Sequence, residues 1–219
     1  MEIYLRERLH TPEKHIIRIH NRDATRQAII EGLCGLANDG RIQKHDPILI
    51  FYAGHGCELA APANWETNGQ KIQAIIPCDA GVPDATGEPV HVLPDRTIGS
   101  LLDDIARKKG DNITVIFDCC HSASGARVDE LIARTVNAED LLPLPSGLDS
   151  KIIPRALKVP VRFSHTGIWS HVLLAACGAS EVAYEHKDRG VFTSALLAVL
   201  NAMNVDKLTY NELIKRLCR

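Results

Sequence analysis

Short apolar runs alternate with longer amphipathic stretches along the chain. Three runs are continuous and have the length of a strand that is buried on both faces: residues 47–53 (PILIFYA), 113–117 (ITVIF) and 171–177 (HVLLAAC). Residues 15–20 (HIIRIH) are interpreted as a further, first strand. Strands that alternate with helical stretches are typical of βα units on a mostly parallel sheet.

The spacing of apolar positions predicts helices over residues 21–36, 95–109, 190–201 and 208–217. The last of these begins with Thr209 and Glu212, which have the spacing of a capping box. Residues 57–94 are rich in Gly, Pro and Asn, which predicts a loop that contains a small strand or hairpin. Residues 122–170 are predicted to form a long irregular insertion.

Length and charge narrow the class of protein. The 219 residues fit a single α/β domain over residues 1–219. Lys and Arg (25) nearly balance Asp and Glu (27) without a basic run, so no nucleic-acid partner is expected. No apolar stretch approaches the roughly 20 residues that a membrane span needs, and the charged N-terminus lacks the apolar region of a signal peptide. A soluble, cytoplasmic protein with free thiols is therefore expected.

Two of the buried runs lead into side chains that can carry chemistry. Residues 47–53 are followed by His55, and residues 113–117 by Cys120. The helix between them is a suitable crossover connection, and neighbouring parallel strands lie about 4.8 Å apart. If the two strands are neighbours, His55 and Cys120 meet over one edge of the sheet, where ligands of open parallel sheets bind.

This pair of side chains is what thiol catalysis requires. An imidazole takes the proton of the thiol during attack and later protonates the leaving amine. The backbone N–H groups of Gly56 and Cys120 are the predicted oxyanion hole. A lone His or Cys is usually structural, and these residues alone leave Cys119 and Cys120 about equally good as nucleophile. Metal binding by Cys119, Cys120 and His121 is disfavoured, because three consecutive residues do not easily converge on one ion.

The segments FYAGHG (residues 51–56) and IFDCCHSASG (residues 116–125) resemble the two catalytic blocks of the metacaspase and caspase-like peptidases. Weaker resemblances are found in NRDATRQAII, in IIPCDAG and in the stretch from HVLLAAC to the GVFTSALL helix, so that nearly the whole chain is covered. The resemblance implies a caspase-like, three-layer α/β sandwich with a mostly parallel central sheet flanked by helices. It also implies cysteine endopeptidase activity on protein or peptide substrates.

The alignment of the second block implies that Cys120, and not Cys119, is the nucleophile, with His55 as its base. Cleavage after Arg or Lys is implied by the same family. Asp118, two residues before the nucleophile, is the implied carboxylate of the basic-residue pocket, and Asp79 is a weaker candidate. The structural alternatives are that Asp118 caps a turn at a strand end and that Asp79 lies in an ordinary turn.

Some departures from the family pattern carry their own expectations. The family's first strand and its Asn-Asp-Ala loop have no counterpart here, and its last strand is missing, so the domain is expected to be truncated at both ends. The family's calcium-binding aspartate pair corresponds to Asp95 and Arg96, so no cofactor is predicted. Self-processing within residues 122–170 and an inactive caspase-homology scaffold both stay open as alternatives. The oligomeric state is not indicated.

Overall fold

A computed structural model describes residues 1–65, 67, 69–119, 132–133, 136, 138–152, 170–177, 183–186, 189–203 and 205–217. Within these ranges the α-helices are α1 (Glu2–Glu7), α2 (Arg26–Asn38), α3 (Asp95–Lys109), α4 (Val191–Ala202) and α5 (Tyr210–Leu217). The strands are β1 (Ile48–Ala53), β2 (Gly56–Leu59), β3 (Ile72–Ile75), β4 (Leu93–Pro94), β5 (Ile113–Asp118), β6 (Ile132–Ala133), β7 (Val172–Ala175), β8 (Tyr184–His186) and β9 (Arg189–Gly190).

Local sequence explains where several helices begin and end. The Thr25 hydroxyl accepts the Ala28 N–H (3.2 Å) and so caps α2. Helix α3 ends at Gly110, whose φ of 91° favours glycine. The capping box predicted for α5 is confirmed, because the Glu212 N–H donates to the Thr209 hydroxyl (3.2 Å) and the Thr209 N–H donates back to the Glu212 carboxylate (3.1 Å).

The main sheet has the order β1-β5-β7, and both of its strand pairs are parallel. Apolar residues of α2 and α3 pack with the sheet on one face, around Leu102, Ile105 and Val115. Residues of α4 and α5 pack on the other face, around Ile116 and Leu196. The predicted α/β sandwich with helices on both sides of a parallel sheet is therefore confirmed.

The prediction of a strand at residues 15–20 is wrong. Glu13–His15 forms a single turn of 3-10 helix, and residues 16–20 have no strand partner in the part of the chain that the structure describes. The segment is held by its side chains instead: the Arg18 guanidinium contacts the carboxylates of Glu2 (2.7 Å) and Glu13 (2.6 Å). An extended, apolar sequence becomes a strand only where another backbone lies within hydrogen-bonding distance.

The segment predicted to hold a small strand or hairpin forms a second sheet of three strands, in the order β2-β3-β4, with both pairs antiparallel. It has its own apolar cluster, which includes Cys57, Trp65 and Leu144, a residue of the long insertion. A third small sheet joins β6, β8 and β9. Among the described residues, no helix combines the length and the apolar character that crossing a membrane requires.

Candidate active site

The turn that carries His55 follows directly after β1 and is fixed through its backbone. The His55 carbonyl accepts two hydrogen bonds, one from the Ile76 N–H (3.0 Å) and one from the Tyr52 hydroxyl (2.7 Å). The His55 side chain itself is exposed. Gly54 is required for space, because a Cβ at this position would lie 2.7 Å from the Tyr52 hydroxyl oxygen. The backbone at His55 is therefore anchored while its imidazole is accessible from solution.

The register of the two central strands bears on the pairing of His55 with Cys120. β1 and β5 pair from Ile48 with Ile113 to Ala53 with Asp118, a constant offset of 65 residues. The Gly54 N–H donates to the Asp118 carbonyl (3.4 Å), which continues the ladder beyond the end of β1. His55 and Cys120 are separated by the same 65 residues in the sequence. Cys120 itself lies outside the described residues.

Cys119, the other possible nucleophile, is a core residue. Its side chain is 2% exposed and packs in the same cluster as Phe117 and Val115. Its carbonyl accepts the Cys177 thiol (3.6 Å). Cys119 is packed among apolar side chains on the face of the sheet that α2 and α3 cover. A thiol in this position cannot reach a peptide in solution.

Asp118 lies at the end of β5 and is completely buried. Its carboxylate accepts the Thr193 N–H (3.2 Å) and also the Thr193 hydroxyl. Thr193 is the third residue of α4, whose own N-cap, Gly190, has no side chain, and a Cβ there would overlap the carboxylate. Asp118 thus takes the place of the missing cap, where a negative charge also stabilises the helix dipole. The structural alternative expected Asp118 to cap a turn, whereas its carboxylate caps α4 instead; its role in a substrate pocket stays a prediction.

The two other predicted site residues have structural contacts. Gly56 is buried at the start of β2, and its carbonyl accepts the Val136 N–H (3.4 Å). Asp79 is half-buried and accepts the N–H of Arg26 (2.8 Å), the first residue of α2. Its carbonyl accepts the Val82 N–H (2.9 Å), so it lies in a turn, as the structural alternative expected. Roles in the oxyanion hole and the substrate pocket stay predictions for these residues.

In the part of the chain that the structure describes, no group of three His, Cys, Asp or Glu side chains converges; Cys120 and His121 of the metal alternative lie outside it. The Arg96 guanidinium carbon lies 4.0 Å from the centroid of the Trp65 ring, in a cation–π contact beside the buried Asp95.

Burial raises the pKa of the Cys57 thiol to about 12, which makes this neighbour of Gly56 unreactive. Cys78, in contrast, is exposed.

Sequence reasoning missed three contributors to this region. Tyr52 holds the His55 carbonyl, Thr193 binds Asp118, and Arg26 binds Asp149 through a buried ion pair of 2.5 Å. Tyr52 had a recognisable signal, because a tyrosine in a buried strand needs a partner for its hydroxyl. The other two contacts join residues that are 75 and 123 positions apart, and no local pattern marks them.

Comparison with known proteins decides the family. A sequence profile of the caspase domain matches residues 5–219. The chain belongs to the caspase-domain family. Metacaspase-5 of Trypanosoma cruzi (strain CL Brener) is 31% identical over 102 residues, which are 46% of this chain and 20% of that protein. This caspase domain therefore matches about one fifth of the length of that relative.

A solved structure is similar over most of the caspase domain. GSU0716 of Geobacter sulfurreducens superimposes with a TM-score of 0.59 and covers 90% of this chain and 69% of its own. The two sequences are 19% identical, so the likeness shows the fold alone. The family is one of cysteine peptidases, which agrees with the class of chemistry that the two strand ends indicate.

Proposed function

We propose that this caspase domain is a cysteine endopeptidase that cleaves after Arg or Lys, with His55 as the base and Cys120 as the nucleophile. The observation that carries the proposal is the offset of 65 residues between β1 and β5. His55 and Cys120 have the same offset, and both follow the paired strands by two residues. Carboxyl ends of neighbouring parallel strands are where substrates of open sheets bind.

The reaction follows from these groups. The His55 imidazole takes the thiol proton as the Cys120 sulfur attacks the carbonyl carbon of the scissile bond, and the N–H groups of Gly56 and Cys120 receive the oxyanion. The imidazolium then protonates the leaving amine, and an acyl-enzyme forms. Water, deprotonated by the same imidazole, hydrolyses the thioester and restores the thiol. The backbone bonds at His55 keep the ring's attachment point fixed through both proton transfers.

The proposed preference for Arg or Lys before the scissile bond is supported by the charge of a carboxylate rather than by the shape of a pocket. Asp118 is a buried carboxylate next to Cys119 and Cys120 in the sequence. A carboxylate at this strand end is of the type that pairs with the guanidinium or ammonium group of a substrate side chain.

The direct test is cleavage of fluorogenic peptides that differ only at the residue before the scissile bond: Arg, Lys or Asp. We expect activity on the Arg and Lys peptides, with Cys120→Ala and His55→Ala reducing it by at least about 10³-fold, since removal of a nucleophile or its base leaves only residual catalysis. Cys119→Ala is the matched control and should retain cleavage. Full activity of Cys120→Ala, or a loss confined to Cys119→Ala, contradicts the assignment.

A second candidate function is a scaffold of the caspase domain without proteolysis. The observation that favours it is that the Asp118 carboxylate is already used to cap α4. A thiol-reactive peptide probe separates the two functions, because an active site is labelled at neutral pH while a scaffold is not. The experiment uses a Cys78→Ser background, since Cys78 is exposed, whereas the Cys57 thiol, whose pKa is raised to about 12, does not interfere.

A further inference from the structure

The longest described part of the insertion, residues 138–152, packs on the β2-β3-β4 sheet, and we call it the strap. Three of its leucines contact the apolar cluster of that sheet. They are Leu144, which is 7% exposed, and the partly buried Leu141 and Leu148. Leu142 is 42% exposed. Three leucines of the strap, and not the fourth, therefore dock it on the sheet.

Polar contacts hold the second half of the strap. The Ser146 carbonyl accepts the N–H of the Trp65 indole (3.1 Å), and Trp65 belongs to the same apolar cluster. Asp149 binds the Arg26 guanidinium of α2 (2.5 Å), and both side chains are largely buried. Because buried polar and charged groups require their partners, these contacts give the strap one defined position against the sheet and α2.

The cluster that receives the strap also supports the turn that carries His55. Cys57, a completely buried member of the cluster, directly follows Gly56 in β2. Ile76, which packs against the cluster, donates its N–H to the His55 carbonyl (3.0 Å). Val136, two residues before the strap, donates its N–H to the Gly56 carbonyl (3.4 Å). The packing of the strap and the backbone position of His55 and Gly56 are therefore linked through a few direct contacts.

The strands of this sheet are too short to hold the turn by themselves. β2 and β3 have four residues each, and β4 has two. In the strand order that the structure describes, β2 lies at the edge of the sheet. Short strands need an apolar layer packed on them for stability, and the leucines of the strap supply part of that layer. We therefore expect β2 to loosen before the main sheet does when the strap is displaced.

We propose that the strap is a positioning device for the peptidase reaction and that Leu144 is the residue that docks it, an inference that rests on the proposed function. With Leu144 packed in the cluster, His55 and Gly56 are held in their catalytic positions. Without it, the domain stays folded while the turn shifts. A displacement of about 1 Å can slow a reaction by about 10²-fold. The proposed ligand of the substrate's basic side chain, Asp118, is bound to α4 and keeps its position, so the strap acts on turnover rather than on substrate binding.

Steady-state cleavage of the Arg peptide is the first test. Leu144→Ala removes most of the docking side chain, so we expect kcat to fall at least about tenfold while KM changes by less than about twofold. Leu144→Met preserves the volume and should keep kcat within about threefold of the wild-type value. Leu142→Ala is the matched control, because it shortens the exposed leucine of the same segment and should leave both constants unchanged.

Hydrogen exchange, measured by mass spectrometry, tests the link between the strap and β2 without any cleavage. The measurement uses Cys120→Ala protein, in which the proposed activity is absent. We expect the β2 amides to exchange at least about tenfold faster with Leu144→Ala than with Leu142→Ala, while the β5 amides are unchanged because the main sheet stays folded. If circular dichroism shows that Leu144→Ala does not fold, Leu148→Ala replaces it, because truncation of a partly buried leucine acts in the same direction with a smaller effect.

Three results overturn the proposal: equal exchange of β2 with Leu144→Ala and Leu142→Ala, faster exchange of β2 with unchanged kcat, or a lower kcat with equally accelerated exchange of β2 and β5, which is a general loss of stability. An effect on KM alone assigns the strap to substrate binding and likewise contradicts it. Wild-type protein that cleaves none of the three peptides contradicts the proposed function instead, and the exchange experiment then decides by itself whether the strap positions β2.

Discussion

Two buried aspartates hold distant parts of the chain together, and they do so in different ways. Asp118 accepts hydrogen bonds from the N–H and hydroxyl of Thr193 at the start of α4. Asp149 instead forms an ion pair of 2.5 Å with Arg26 and accepts the Thr97 hydroxyl (2.7 Å). The first contact joins the sheet to a helix, and the second joins the long insertion to α2 and α3.

The difference teaches which property of each carboxylate the fold depends on. The Asp149 and Arg26 side chains are 5% and 15% exposed, so each charge needs the other. Thr193 requires only an acceptor, which an amide oxygen also supplies. The negative charge of Asp149 is therefore structural, whereas the contact of Asp118 with Thr193 does not by itself require a charge. Replacement of each carboxylate by an amide separates the two cases.

The largest loss of stability is expected for a substitution that fills the space next to the Asp118 carboxylate. Gly190→Ala places a Cβ in the position of the buried carboxylate, which has no room to withdraw. We expect the free energy of unfolding to fall by roughly 4 kcal/mol or more, measured by urea denaturation. Gly35→Ala is the control, because a Cβ there meets no atom within 4 Å. Equal stability of the two variants contradicts the close packing of Asp118 on Gly190.

Removal of the charge at Asp149 is expected to have the next largest effect. Asp149→Asn keeps the size, the polar contacts and the tolerance for the residue's positive φ of 58°, but it leaves the Arg26 guanidinium without its counter-ion. We expect a loss of about 3 kcal/mol in the same urea experiment. Asp111→Asn, at a side chain that is 69% exposed, should change stability by less than about 0.5 kcal/mol. If Asp149→Asn also changes the free energy of unfolding by less than about 0.5 kcal/mol, the ion pair does not stabilise the fold.

The same change at Asp118 should have the smallest effect on stability and a large one on specificity. Asp118→Asn retains an acceptor for Thr193, so we expect a loss of only about 1 kcal/mol. Cleavage of the Arg peptide should fall at least about tenfold, mainly through KM. Thr193→Val removes the hydroxyl contact and keeps the carboxylate, so it should lower stability to a similar extent while the preference for Arg is kept. Loss of the preference in both variants indicates that the cap, and not the charge, matters.

Much of the architecture that carries the site could be predicted from local pattern. The apolar runs predicted β1 and β5, the spacing of apolar residues predicted α3 between them, and Thr209 with Glu212 predicted the start of α5. These features depend on residues within a few positions of one another. They are also the features that bring the ends of two strands to one edge, so the position of His55 relative to β5 followed from them.

The rest depended on contacts that sequence does not show. Residues 15–20 have the composition of a strand, but only the position of a partner backbone decides whether they become one. The contact of Asp118 with Thr193 and that of Arg26 with Asp149 depend on how helices and loops pack after the sheet has formed. Tyr52 is intermediate, because its need for a partner was readable while the identity of the partner, the His55 carbonyl, was not.

The offset between β1 and β5 also has a consequence for the order of events in folding. Pairing of these strands closes a loop of about 65 residues, which is slow compared with the formation of helices or hairpins. A ribosome-bound chain that has not yet released residue 118 lacks the strand against which β1 aligns. The end of the sheet that carries His55 can therefore pair only after residue 118 has been synthesised, and the proposed activity is not expected from a shorter nascent chain.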